Sequence, residues 1–330
     1  MRFVVTGASG HLGANVVRAL VAAGEKVRAV DIRPGAALQG LGVEFVRGDV
    51  LDPSSLENAL AGAEFVLHLA ARISIAGDPD GSVWRVNVDG VRNVAEAALT
   101  AGVRRLVHCS SVHAYDAAAI RGPVRENGLR STDSRLPVYD RSKAAGEAAL
   151  HRVVERGLDA VILNPSGMIG PVDPEPSRMG RVFLAMFRGR MPIAVRGAFD
   201  WVDVRDVAAA LIAAADRGRT GDNYLIAGQR ASVNELGKLA ADVAGRQPPR
   251  LAVPLAPVKL AALVAVRVAG PRRAGKLLLT PESLHALETA PIIDCSKAVA
   301  ELGYRPRPLA ETVADLHASF LADGRLPDRR

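Results

Sequence analysis

The stretch from Phe3 to Gly13, FVVTGASGHLG, restricts the fold more than any other part of this chain. Phe3, Val4 and Val5 form a short apolar run of the kind that fills a strand buried on both faces. Gly7, Gly10 and Gly13 follow, and Leu12, Val16, Val17, Leu20 and Val21 then fall at helical spacing. The glycines therefore sit on a strand-to-helix turn. Gly7 permits the tight turn, Gly10 lets the backbone approach an anion, and Gly13 lets the helix pack close to the strand. The positive end of the helix faces the turn, so a dinucleotide pyrophosphate would be held there. Candidate contacts are Gly7, Ser9, Gly10, His11, Leu12 and Gly13, with His11 read as a bystander on the cofactor side.

The pattern then repeats. Strands are expected at Val27–Asp31, Val43–Val46, Phe65–Leu69, Leu106–Cys109 and Ala160–Leu163. Between them lie helical segments at Pro53–Leu60, Gly81–Ala101 and Tyr139–Arg156, the first with Asp52 as N-cap and Pro53 at its first position. Alternation of this kind predicts an α/β fold, with a doubly wound parallel sheet covered by helices on both faces and ligands beyond the carboxyl ends of the strands. After Asn164 and Pro165 the prolines cluster at Pro165, Pro171, Pro174 and Pro176, and the pattern changes. Residues 1–165 are expected to hold the cofactor, with some later segments returning to them. Residues 166–330 are expected to form a smaller C-terminal α+β substrate cap. Val253–Val268 is strongly apolar but contains Lys259 and Arg267. It reads as an amphipathic helix packed on the cap, with a membrane surface or an apolar substrate pocket as the other readings.

The chain has 330 residues and a formal net charge of +7, with 4% aromatic residues. Its cations are scattered or paired, as at Arg104–Arg105, 272–273 and 329–330, without an aromatic stacking platform, so nucleic acid is not an expected partner. No segment has the ~20 consecutive apolar residues of a membrane span. MRFVVTG leads straight into a strand without a separate apolar signal region, and Cys109 and Cys295 give no disulfide framework. These features fit a reducing cytoplasm. No His/Cys/Asp cluster has metal-ligand spacing, so no metal is expected.

Asp31 ends the second strand, where a carboxylate accepts from the ribose hydroxyls of the adenosine and repels a 2′-phosphate. Arg33 could offset that repulsion, so NAD is the expected cofactor and NADP the alternative. Asp49 and Val50 follow the third strand near the adenine, and Leu69, Ala70 and Ala71 follow the fourth beside the middle of the cofactor. Tyr139 and Lys143, four residues apart, share one helix face, and the preceding strand ends in Ser110 and Ser111. A phenol can serve as general acid to a carbonyl oxygen when an ammonium lowers its pKa, and a serine hydroxyl can hold the same oxygen. That set suits hydride transfer between a nicotinamide and a carbonyl or carbinol carbon of a small molecule. His113 could reach the substrate, and Arg178 could touch an anionic part of it. The long polar loop from Asp116 to Pro137 is expected to be a mobile lid.

Several motifs in order carry a family resemblance: TGASGHLG at Thr6–Gly13, GDVLD at Gly48–Asp52, HLAA at His68–Ala71, VNVDGVRNV at Val86–Val94, CSSVHAY at Cys109–Tyr115, YDRSK at Tyr139–Lys143 and VDVRDVA at Val202–Ala208. The chain resembles the extended short-chain dehydrogenases/reductases, among them dihydroflavonol-reductase-like, hydroxysteroid-dehydrogenase-like and epimerase/dehydratase members. The resemblance implies a Rossmann-type fold with Tyr139 as catalytic acid/base and Lys143 also on the nicotinamide ribose. It further implies Ser111 as the catalytic hydroxyl, Asn164 and Pro165 beside the nicotinamide, and Asn87 ordering the active-site helices. A homodimer through the two long helices is the assembly it suggests. Asn164 stands where many epimerases of the family have arginine, and Asp116 where they have glycine. The alternatives to a reductase or dehydrogenase are a sugar epimerase or dehydratase, and a non-catalytic dinucleotide-sensing protein.

Overall fold

Taken from the N-terminus, β1 (Phe3–Thr6) leads into α1 (His11–Ala22), β2 (Val27–Asp31), β3 (Glu44–Arg47), α2 (Pro53–Leu60) and β4 (Phe65–His68). There follow α3 (Ser82–Trp84), a π-helical stretch at Arg85–Asp89, α4 (Gly90–Thr100), β5 (Arg105–Cys109), α5 (Val138–Val154) and β6 (Ala160–Pro165). The second half comprises β7 (Gly167–Ile169), α6 (Arg178–Phe187), β8 (Ile193–Val195), β9 (Ala198–Asp203), α7 (Val204–Arg217), β10 (Asn223–Ile226), β11 (Gln229–Ser232) and α8 (Val233–Ala244). It ends with β12 (Leu251–Val253), α9 (Leu255–Ala269), α10 (Pro281–Thr289), α11 (Ser296–Leu302) and α12 (Leu309–Ala322). These come from a computed structural model that describes residues 1–75, 77–269, 277, 279–289 and 291–327; the arginine pairs at 272–273 and 329–330 lie outside them.

The central sheet has seven strands in the order β10-β6-β5-β4-β1-β2-β3, all parallel. Successive residues of a strand point to opposite faces. Val5, Leu67, Val107 and Val161 therefore face one core with α1 and α7, and Val4, Val66, Leu106 and Ile162 face another with α2, α4 and α5. Both faces are covered, which explains why these strands read as unbroken apolar runs. The strand order reverses between β1 and β4, and the crevice of such a sheet opens there.

Asp52 accepts from the Ser54 amide and caps α2, with Pro53 at the first helical position, as expected. The helix predicted over Gly81–Ala101 is present, but its middle is π-helical. Asn87 sits in that stretch, and its amide bonds both backbone groups of Arg72 (2.8 and 3.0 Å), the residue just past Ala71. A three-stranded sheet (β11-β9-β7) and a two-stranded one (β12-β8) stand beside the main sheet, with the later helices packed on them. The loop expected to be a lid is bonded down: Asp116 donates to Leu129, Ser131 to Ala114, and Val124 to Ile292. α9 also differs from expectation. It packs on the cap through Ala262, with Leu255 and Val258 half-buried beside it, but most of its apolar residues are exposed.

Cys109 and Cys295 are both free. Burial pushes the Cys109 thiol up to about 11, so the nucleophilic thiolate is scarce near neutrality. Alkylation of the native protein at mildly alkaline pH is expected to mark Cys295 well before Cys109, with Cys109 labelled only on unfolding; mass spectrometry of the modified peptides checks this.

Candidate active site

The turn between β1 and α1 has three glycines with three different surroundings. Gly7 has φ of 69°, and a Cβ built on it would lie 2.6 Å from the Ala70 nitrogen, across the gap to the end of β4. A Cβ on Gly13 would lie 2.1 Å from the Gly7 carbonyl oxygen and 2.7 Å from the Ala8 Cα. A Cβ on Gly10 would meet only the Gly7 carbonyl oxygen, at 3.4 Å. Gly7 and Gly13 are thus packed against backbone, and Gly10 borders open space. Gly10 is also the N-cap of α1 and offers no side chain to its first amides. Uncapped amides around an open space make an anion cradle.

Asp31 closes one side of the cradle. Its carboxylate accepts from the Ser9 amide at 3.0 Å and from the Ile32 amide at 2.8 Å. The Ser9 hydroxyl donates to the Arg33 carbonyl at 2.8 Å, while the Arg33 residue is exposed. Asp49 is exposed beyond β3 and accepts from the Leu51 amide, and Val50 beside it is buried. Leu69 and Ala70 are half-buried and Ala71 exposed. His68 turns away from the crevice: its ring meets the Thr6 hydroxyl at 2.7 Å and stacks on His108, and burial pulls its pKa down to about 3. His11 binds the Gly170 carbonyl at 2.9 Å, which ties the turn to the strand β7.

Past the end of β5, Ser111 caps a short 3-10 turn by accepting from the His113 amide at 3.2 Å. Tyr139, in the first turn of α5, has its phenol beside the Ser111 side chain. Lys143, one turn on, is buried and donates to the Cys109 carbonyl at 3.2 Å. Ser111, Tyr139 and Lys143 are therefore brought together, but not as the spacing alone suggests. Withdrawal from water raises the phenol above its ordinary range, with the Ser111 hydroxyl pulling it back, and burial lowers the Lys143 ammonium. The ammonium is held on the carbonyl at the end of β5.

Asn164 and Asn87 are fully engaged by the protein. Asn164 donates to the Ser111 carbonyl (3.0 Å) and to Glu147 (2.6 Å) and accepts from Asn223 (2.8 Å). Asn87 also donates to the Ser142 hydroxyl at 3.0 Å, fixing α5 against the loop after β4. Pro165 is buried at the end of β6. Among the described residues no group of three or more His, Cys, Asp or Glu could hold a metal ion.

Beside Tyr139 lies a cavity of about 350 Å³. Its walls include Ile73, Val112, Met179, Val182, Met186, Phe199, Trp201, Leu236 and Leu287. His113 lines it too, edge-on to the Tyr139 ring at 5.6 Å, stacked on Phe199 and paired with Asp140 at 3.1 Å. Arg178 is at the wall and donates to the Leu277 carbonyl. Arg205 is paired with Asp203 and Asp315. The sequence reading missed most of this wall. Met179, Val182 and Met186 on α6, and alternating Phe199 and Trp201 on β9, carry the helical and strand periods that could have placed them. Asp140 and Glu282 gave no such signal.

A doubly wound sheet with an uncapped helix start at its switch point defines a dinucleotide-binding α/β protein. Residues 3–227 match the model of the NAD dependent epimerase/dehydratase family, and the chain belongs to that family, within the extended short-chain dehydrogenases/reductases. NAD is the family's cofactor. The chain is 39% identical to sterol demethylase protein B of Methylococcus capsulatus over 98% of this chain and 99% of that one. It is 33% identical to a putative dihydroflavonol 4-reductase of Synechocystis over 95% and 92% of the two chains. The crystal structure of gox2253 superposes with a TM-score of 0.83 at 32% identity, over 99% of both chains.

Proposed function

We propose that this chain is an NAD-dependent oxidoreductase acting on the hydroxyl or ketone carbon of a large apolar substrate of the sterol class. The observation that carries the reading is the apolar cavity opening onto Tyr139. Its volume suits a drug-sized apolar ligand, with a few polar groups to orient it. A nucleotide sugar would need its phosphates neutralised, and among the described residues that line this mostly apolar wall Arg178 is the one arginine or lysine. The relative named for sterol demethylation supports the same class.

In this reading residues 1–165, with later segments returning to the main sheet, hold the cofactor, and 166–330 shape the cavity. NAD, when bound, supplies the hydride acceptor or donor. The amides after Gly10 bind its pyrophosphate and Asp31 its adenosine ribose. Tyr139 holds a proton at its phenol oxygen, gives it to a ketone oxygen in reduction, and takes it from a hydroxyl in oxidation. Ser111 bonds the same substrate oxygen, and Lys143 holds the nicotinamide ribose. Asn87 and Asn164 keep α5 and the Ser111 loop in register. The free thiols suit a cytoplasmic location.

The test is NADH production by the purified protein with NAD and a panel of sterol alcohols, alongside UDP-glucose. Net NADH with a sterol is the expected result. Epimerised sugar with no net NADH, and no turnover of any sterol, would overturn the reading. Asp31→Asn removes a charge that repels a 2′-phosphate, so the preference for NAD over NADP is expected to fall by about tenfold, equivalent to ~1.4 kcal/mol; calorimetric titration with both cofactors reads it.

A further inference from the structure

Helix α9 has a sequence, LAPVKLAALVAVRVA, that is apolar apart from Lys259 and Arg267. A helix of that composition belongs in a core or a bilayer. Instead it rests on a narrow strip. Ala262, with Leu255 and Val258, packs on Leu284 and Leu287 of α10 and on Val195 of β8. On the opposite side Leu260, Val264 and Val268 are 65%, 55% and 82% exposed, and Leu263 beside them is 56% exposed. Positions 260, 264 and 268 recur every four residues and so form one ridge.

The charge around this ridge identifies its occupant. Along the sequence from 243 to 269, Arg246, Arg250, Lys259 and Arg267 are the charged residues, and none is acidic. Lys259 is paired with Glu288 of α10, while Arg267 is exposed at the flank of the ridge. We propose that this face of α9 docks on an anionic lipid surface, with the ridge at the acyl boundary and the cations among the headgroup phosphates. Among the described residues no helix is long and apolar enough to cross a membrane, so the helix lies in the surface plane. A second copy of the chain is the competing occupant, and the oligomeric state measured without vesicles separates the two.

The other side of the docked helix rests on Leu287, which also lines the cavity beside Tyr139. The lipid is thus one helix away from the substrate site. Supply of an apolar substrate from the bilayer rests on the proposed function; the docking does not.

The test uses the full chain with vesicles of phosphatidylcholine, alone or with a quarter of phosphatidylglycerol, and reads partition by sedimentation. Binding to the anionic vesicles is expected, about tenfold or more above the neutral ones and weakening with salt. L260S/V264S changes exposed side chains, so its melting temperature should hold while anionic partition falls about tenfold or more. R267Q should lower it about fivefold. No partition by the unaltered chain, or partition untouched by L260S/V264S, overturns the proposal. So does a dimer, seen without vesicles, that L260S/V264S splits. The assay contains neither NAD nor sterol, so its failure is distinct from a failure of the hydride-transfer reading.

Discussion

Tyr139→Phe is expected to lower turnover by about 10²–10⁴-fold, the contribution of a positioned proton donor, while NAD affinity and melting temperature hold. The ring keeps its packing against His113, and only the hydroxyl beside Ser111 is lost. The pH profile gives a second readout. Burial raises the phenol, so at neutral pH the cofactor-free enzyme carries it protonated. Reduction uses that form, so its rate should stay level through neutrality and fall only as pH approaches the raised value. Oxidation needs the phenolate, so its rate should climb with pH. Both limbs should vanish in Tyr139→Phe. A variant that keeps most of its turnover would remove Tyr139 from the proton path.

Gly13→Ala and Gly10→Ala are expected to fail in opposite ways. At Gly13 the new methyl would sit 2.1 Å from the Gly7 carbonyl oxygen, and backbone has no side chain to swing aside. Either α1 or the turn must move, at the upper end of the ~1–3 kcal/mol of overpacking or beyond. NAD binding falls along with stability. At Gly10 the methyl meets protein only at 3.4 Å, so the melting temperature should hold. It intrudes instead where the pyrophosphate would lie, and NAD affinity is expected to drop by about tenfold or more, ~1.4 kcal/mol. Thermal melts of each variant with and without NAD separate the two. Equal loss of stability in both would refute the division of roles between Gly10 and Gly13.

These two glycines show why much of the fold was legible. A turn, its strand and its helix are local, and their periods lie within a dozen residues. The same holds for α5, where Tyr139 and Lys143 fall on one face. What spacing could not show is where a long side chain ends. Lys143 reaches back from α5 to the Cys109 carbonyl at the end of β5, and burial raises the phenol, which spacing does not show. The cavity was hidden for a related reason. Met179, Phe199 and Leu287 are distant in sequence, and an apolar residue facing a ligand reads like one facing the core. Buried Glu147, Asn164 and Asn223, with the half-buried Arg130 paired to Glu147, likewise come together only across the folded chain.

The position of β10 has a consequence for how the chain is made. This strand closes the main sheet beside β6, yet β7, α6, β8, β9 and α7 are synthesised between the two. Until residue 226 has left the ribosome, β6 presents an open row of amides and carbonyls. Translation at ~5–20 residues per second leaves that edge bare for several seconds, long enough to recruit chaperones or a neighbouring nascent chain. A fragment cut at 165 would keep the edge permanently, and it should aggregate where the whole chain stays dispersed.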